Sequence, residues 1–419
     1  MVLQEIDLLR QLVRVPSVNP VFTSDGSGGE APLTDFLQNL LDELGWRWLR
    51  QTVHPGRDNL IALCPGKGGP GKGSPGGSSE VTLWEVHQDT VGVAGMTIDP
   101  YCGEESEGRI WGRGACDIKG GMAAMLTALS RAQADPERQR STVLLALTVN
   151  EESGFTGADA LCRFWSDDPG RQVSAAEVHG PLSLAELQNL RPGQAVIAEP
   201  TGLDVVVAHK GASRWHCHTR GQAAHSSQPE LGRNAIYAMA DVLLAIEAYH
   251  QEELARGDSH SLCGRRAICA STIQGGSGVN IVPEHAVIAI DRRLLPGESP
   301  RQAYEDLIAY VSNRVERSGI TIEHEQPWIE CLGLDDSDNR EWAGQIAAVA
   351  HAMDLPCELI GVPYGTDASV IAAAGIPSVV FGPGSIDQAH TKDEWLEIDQ
   401  LAKATEILYR LVCCEAASG

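Results

Sequence analysis

Seven residues of this 419-residue chain have types and spacings that could do chemistry: His87, Asp89, Asp117, Glu151, Glu152, Glu199 and His390. Five of them, His87, Asp117, Glu152, Glu199 and His390, stand just after an apolar run or in a loop that opens a helix. Recurrence at the same kind of place points to one shared site. Imidazole nitrogen and carboxylate oxygen, without thiolate, form the donor set of an open hydrolytic zinc site. Asp89, two residues past His87, is placed to orient that imidazole through its other nitrogen. Glu151 adjoins Glu152 and adds a second carboxylate at the same strand end.

Asp117 lies in WGRGACDIKGGMAAM, residues 111–125, with glycines at 112, 114, 120 and 121. The glycines let the backbone take positive φ on both sides of the acid. Met122, Met125, Leu126 and Leu129 fall at helical spacing, so Asp117 sits in the loop that opens a helix. A buried carboxylate there is costly unless a cation offsets it. On this segment alone, a helix cap beside a glycine-rich turn is the other reading.

The elements that must carry these residues follow a repeating plan. Strands are expected at 46–53, 59–64, 81–86, 142–149, 195–198 and 376–381, with helices at 31–44, 119–134, 155–166 and 338–353 between them. TVLLALTV at 142–149 is apolar almost throughout, as a central parallel strand is. The fold class is therefore α/β, a mixed sheet flanked by helices, with ligands beyond the carboxyl ends of its strands. Between 208 and 326 the order changes to βαββαβ, a ferredoxin-like α+β unit inserted before the strand that delivers His390. The expected division is 1–208 and 327–419 for the catalytic domain and 209–326 for an inserted lid and dimerisation domain.

Composition bounds the partners. A net charge of -24 argues against nucleic acid, whose phosphates require a basic footprint. No run of about 18 apolar residues occurs, so no membrane span is expected. The amphipathic start, MVLQEIDLLRQLVRVPS, reads as a helix and not a signal peptide. Eleven cysteines without paired spacing fit reduced thiols in the cytoplasm. The vicinal pair Cys413-Cys414 reads as packing or exposure. PGKGGPGKGSPGGSS, 65–79, reads as a flexible hairpin tip, since no phosphate-loop pattern opens a helix there.

EVHQDT, GRGACDIKGG, TVNEE, AEPTG, the AAHSS stretch and the His390 loop resemble, in that order, the motifs of the dinuclear zinc aminoacylase/carboxypeptidase family. The resemblance covers nearly the whole chain. It is of the acetylornithine deacetylase and succinyl-diaminopimelate desuccinylase type, and GPGSIDQAHTKDEW and YGTDAS look most like the acetylornithine deacetylases within it. It implies that His87, Asp117 and Glu199 hold one zinc ion, that Asp117, Glu152 and His390 hold the other, and that Glu151 is the general base. Cobalt is an alternative metal. It also implies a cis peptide after Asp117, which sequence does not show. The implied reaction is removal of an acyl group from an N-acyl amino acid, with N-acetyl-L-ornithine, and so arginine biosynthesis, as the first expectation. A desuccinylase and a carboxypeptidase or dipeptidase are the alternatives. A non-catalytic binding protein is disfavoured, because such a module needs no general base. Two departures stand beside the ligands: Trp84-Glu85 where the family commonly has Ser or Gly, and Gly92 where proline often follows DTV.

Outside the metal set, His225 alone reads as a surface-loop histidine. The resemblance makes it a residue lent across a homodimer to support the oxyanion. Asn280 and Arg293 match residues of the lid that hold substrate, Arg293 as a carboxylate fork. Arg292 faces the other side of its strand. Thr366, in YGTDAS, either helps present backbone amides to a substrate carboxylate or simply caps a helix with Asp367. His216 and His218 share one strand face with Arg214 and Arg220 and read as no site.

Overall fold

Val81–His87 and Thr142–Thr148 are buried at every residue and pair in parallel. Strands apolar on both faces require a layer of structure on each side. They are the centre of the protein in a computed structural model that describes residues 1–24, 26–66, 81–135 and 141–413. The nine strands run in the order Leu359–Val362, Val205–His209, Ser378–Val380, Gln194–Ile197, Val81–His87, Thr142–Thr148, Arg57–Cys64, Arg47–His54 and Val178–His179. The central pairs, from Ser378–Val380 to Thr142–Thr148, are parallel, and Arg57–Cys64 and Arg47–His54 add on antiparallel. The sheet is mixed, as expected. Val205–His209 was not foreseen as a strand, because its pairing partner, Ser378–Val380, lies far along the chain. The helix expected at 155–166 is Thr156–Cys162 followed by a 3-10 turn, Arg163–Trp165.

Lys119–Ala134 is buried on nearly all sides, against the helices Glu5–Val13 and Ile398–Val412. Here one expectation is corrected. Gly112 and Gly114 do take positive φ, 138° and 83°, but Gly120 and Gly121 do not. They are small for packing: a Cβ on Gly120 would lie 2.3 Å from Leu396, and one on Gly121 would lie 2.9 Å from Ala198. The helix start is thereby drawn against the strand end that precedes Glu199.

The chain divides into two compact units. One comprises Met1–Val207, Asp336–Ile360 and Thr366–Gly419; the other comprises Ala208–Asp335 and Gly361–Gly365. The second unit extends past the expected 326 because Ile329–Cys331 pairs with Gly211–Arg220. Its sheet runs Ala267–Gly275, His285–Leu294, Gly211–Arg220, Thr321–His324, all antiparallel, which is the ferredoxin-like order. Trp215 and Cys217 point into a core with Met239, Ile246 and Leu307 of two helices, while His216 and His218 alternate onto the other face. Both histidines bond Glu325, at 3.0 and 2.8 Å. The ten cysteines described are all free; Cys414 and residues 67–79 of the glycine-rich stretch lie outside the described residues.

Candidate metal centre

Strand ends of the first unit deliver the donors. His87 closes Val81–His87, Glu152 follows Thr142–Thr148, Glu199 follows Gln194–Ile197, and His390 lies in the loop after Ser378–Val380. His87 Nε2 stands 3.2 Å from Asp117 Oδ1 and 4.0 Å from Glu199 Oε1. His390 Nε2 stands 3.3 Å from Asp117 Oδ2 and 3.1 Å from Glu152 Oε2. Two donor groups result, His87–Asp117–Glu199 and Asp117–Glu152–His390, which share Asp117 through its two oxygens. Glu151 belongs to neither group.

The residues fit cations. His87 Nε2 and Asp117 Oδ1 are buried and face each other without a hydrogen bond, as two lone pairs aimed at one point do. Burial pushes Glu151 and Glu199 well above the ordinary carboxylate range, with Glu199 and Asp117, respectively, adding like charge. Glu152 is raised to about 7 by burial and by Asp117. Contacts with Asp117 and Glu152 push His390 to about 10. Protons here stand where positive charge is wanted, because so many acids are expensive to bury together.

The surrounding bonds aim the donors. His87 Nδ1 bonds the backbone carbonyl of Asp89 at 2.9 Å, which leaves Nε2 as the free lone pair. Orientation of the ring thus runs through the main chain of Asp89, whose carboxylate is 3.6 Å away. That carboxylate instead accepts from the backbone N–H of Glu151 at 3.0 Å, of Glu152 at 3.1 Å and from Asn19 Nδ2 at 2.8 Å. Asn150, at φ 67°, turns the chain out of the strand just before the two glutamates. The Asp117–Ile118 peptide is cis. Glu394 holds the Asp117 loop: it accepts from the N–H of Gly114, Cys116 and Asp117 at 2.8–2.9 Å and from Arg113 at 2.7 Å.

Asn19 and Glu394 were not singled out from sequence. A signal existed for each: Asn19 opens an Asn-Pro turn before the glycine-rich loop, and Glu394 follows His390 in one short segment. Thr366 Oγ1 accepts from Ala368 N at 3.2 Å, the bond of a local cap. In the second unit, His225 is exposed and bonds Ser227 at 2.7 Å. Its two-residue strand pairs with Ile281–Val282, and Ser226 N bonds Asn280 O at 3.0 Å, so His225 and Asn280 share one corner. Arg293 pairs with Asp291 at 3.0 Å on the half-exposed face, while Arg292 is buried against Tyr249 and Ala303.

The model of peptidase family M20/M25/M40 matches residues 83–413. The chain belongs to this family. Peptidase family M20/M25/M40 members similar to it include two named acetylornithine deacetylase. That of Myxococcus xanthus is 28% identical over 91% of both chains; that of Proteus mirabilis is 28% identical over 97% of this chain and 95% of the other. A solved metallo-carboxypeptidase from Sulfolobus solfataricus superposes with a TM-score of 0.72 at 17% identity, covering 98% of each chain. This M20/M25/M40 protein is a metal-dependent hydrolase, similar over most of its length to the deacetylases named above. No described helix is long and apolar enough to cross a membrane.

Proposed function

We propose that this chain is a dinuclear zinc amidohydrolase that removes the acyl group from an N-acyl amino acid, with N-acetyl-L-ornithine as the leading substrate. The observation that carries the reading is Asp117, shared by two donor groups with an unliganded carboxylate, Glu151, beside them. His87, Asp117 and Glu199 would hold one ion, and Asp117, Glu152 and His390 the other, in zinc or cobalt form. Bound there, the ions supply Lewis acidity toward the amide carbonyl and acidify water. Glu151 takes a proton from the attacking water and returns it to the amine nitrogen, which leaves only once protonated. Asp89 fixes both His87 and the backbone of the two glutamates.

His225, lent across a homodimer, supports the oxyanion; Asn280, Arg293 and the Thr366 segment hold the substrate. The chemistry suits a cytoplasmic step of arginine biosynthesis. The names of the two deacetylase relatives support the substrate, and the motif set supports the roles. The test is metal quantitation on protein purified without chelator, joined to a screen of N-acetyl and N-succinyl amino acids and dipeptides. About two ions per chain and fastest turnover of N-acetyl-L-ornithine are expected. Metal-free activity would sink the metal assignment, and preference for a dipeptide or a succinyl compound would sink the substrate.

A further inference from the structure

Arg57 is the first residue of the strand Arg57–Cys64, whose antiparallel register with Thr142–Thr148 sets Leu60 opposite Leu147. Carried on past the strand end, that register brings Arg57 to Asn150, where the chain turns out of the sheet ahead of Glu151 and Glu152. The contact is direct: Arg57 Nη2 donates to Asn150 Oδ1 at 3.1 Å. The other bonds of Arg57 form a fork on Glu30, Nε to Oε2 at 2.7 Å and Nη2 to Oε1 at 2.5 Å, and that carboxylate is fully buried. Glu30 Oε1 also accepts from the backbone N–H of Asn150 at 3.2 Å. The ion pair thus grips Asn150 by its main chain and its side chain together.

Asn150 needs such a grip. Its φ of 67° is left-handed, a region that asparagine tolerates better than most residues without preferring it. Its Oδ1 also accepts from Asn19 Nδ2 and Ser153 Oγ, each at 2.9 Å, and its Nδ2 donates to Thr156 Oγ1 at 2.9 Å. The turn is therefore fixed through the side chain of Asn150, and Glu151 leaves from the next residue. We propose that Arg57, set by Glu30, is a positioning residue for Glu151, acting through the Asn150 turn. The loaded site gives Glu152 an ion to hold it, whereas a base that ligates no metal depends on the turn it leaves from. The proposal rests on the reading of Glu151 as general base, and it gives a task to two residues outside the donor groups.

The double variant Glu30→Gln/Arg57→Met removes the pair without stranding a charge, because a glutamine oxygen still accepts from the N–H of Asn150. This variant, Arg57→Lys and Asn150→Gly should be compared on the metal-loaded enzyme. The measurements are kcat and KM on the fastest substrate of the screen above, metal content, and hydrogen–deuterium exchange of a peptide spanning 149–156. In Glu30→Gln/Arg57→Met, kcat should fall about tenfold with KM within about twofold and full metal content, as when a group acting in the transition state is displaced. Its 149–156 peptide should exchange about tenfold faster, with other peptides of the large sheet unchanged. Arg57→Lys keeps a cation beside Glu30 but not the planar fork, and should show the same split at about threefold. Adding Asn150→Gly to the double variant should lower kcat no further than Asn150→Gly alone, since both act through one side chain. Parental kcat in both arginine variants, metal lost in step with activity, unchanged exchange at 149–156, or additive losses overturns the proposal. Glu151→Gln separates the layers. Near-normal turnover there removes the base and this tie with it, whereas an inactive Glu151→Gln beside fully active arginine variants refutes the tie alone.

Discussion

Glu151 and Glu152 are chain neighbours with different surroundings. Glu152 reaches His390 at 3.1 Å within a donor group, whereas Glu151 stands outside both groups among other acids. Their backbones are pinned alike by Asp89, so the difference lies in the side chains alone. Glu151→Gln should keep its metal and its substrate affinity while kcat falls by roughly 10²–10⁴, the usual loss for a general base. Glu152→Gln should lose metal instead. Metal content and kcat on the same two preparations check this, and near-normal turnover by Glu151→Gln would refute the assignment. The candidate donor acids and histidines were legible in sequence because each follows an apolar run or lies in a loop that opens a helix. The exchange of roles at Asp89 was not, since a main-chain carbonyl leaves no mark on residue type.

At the scale of elements, the loop Gly112–Asp117 has no regular structure, yet it must hold the shared carboxylate still. Glu394 supplies the rigidity that a helix or strand would otherwise give, by accepting from the backbone N–H of Gly114, Cys116 and Asp117 and from Arg113. Glu394→Ala should therefore strand those buried N–H groups, at about 1–3 kcal/mol for each one left unsatisfied. The expected outcome is partial loss of metal together with a lower thermal midpoint, whereas Glu394→Gln, which retains one acceptor oxygen, should lose less of both. Equal, full metal content in both variants would count against an anchoring role. Periodicity revealed most strands and both large helices of the inserted unit. It missed Val205–His209 and the function of Glu394, because both depend on partners that sequence distance hides.

For the whole molecule, acid provides a test of the inserted unit. His209 and His324 are both held down to about 4 by burial. His324 accepts from Trp215 Nε1 at 3.1 Å, which demands the neutral ring. The unfolded chain takes up protons near 6.5 and the folded one only near 4, so stability is full above 6.5 and falls as pH drops toward 4. Urea unfolding followed by tryptophan fluorescence should show the loss, up to about 3 kcal/mol per histidine, and His324→Gln should flatten the slope. If the homodimer lends His225, mixing inactive His225→Ala with inactive Glu151→Ala chains should restore part of the activity; full activity in an isolated monomer would exclude lending. The insertion has a cost during synthesis as well. Gln194–Ile197 emerges from the ribosome about 180 residues before its sheet neighbour Ser378–Val380. At about 5–20 residues per second, that apolar strand edge waits roughly 10–35 s without its partner. The nascent chain, more than the finished fold, is thus the form that exposes an apolar strand edge.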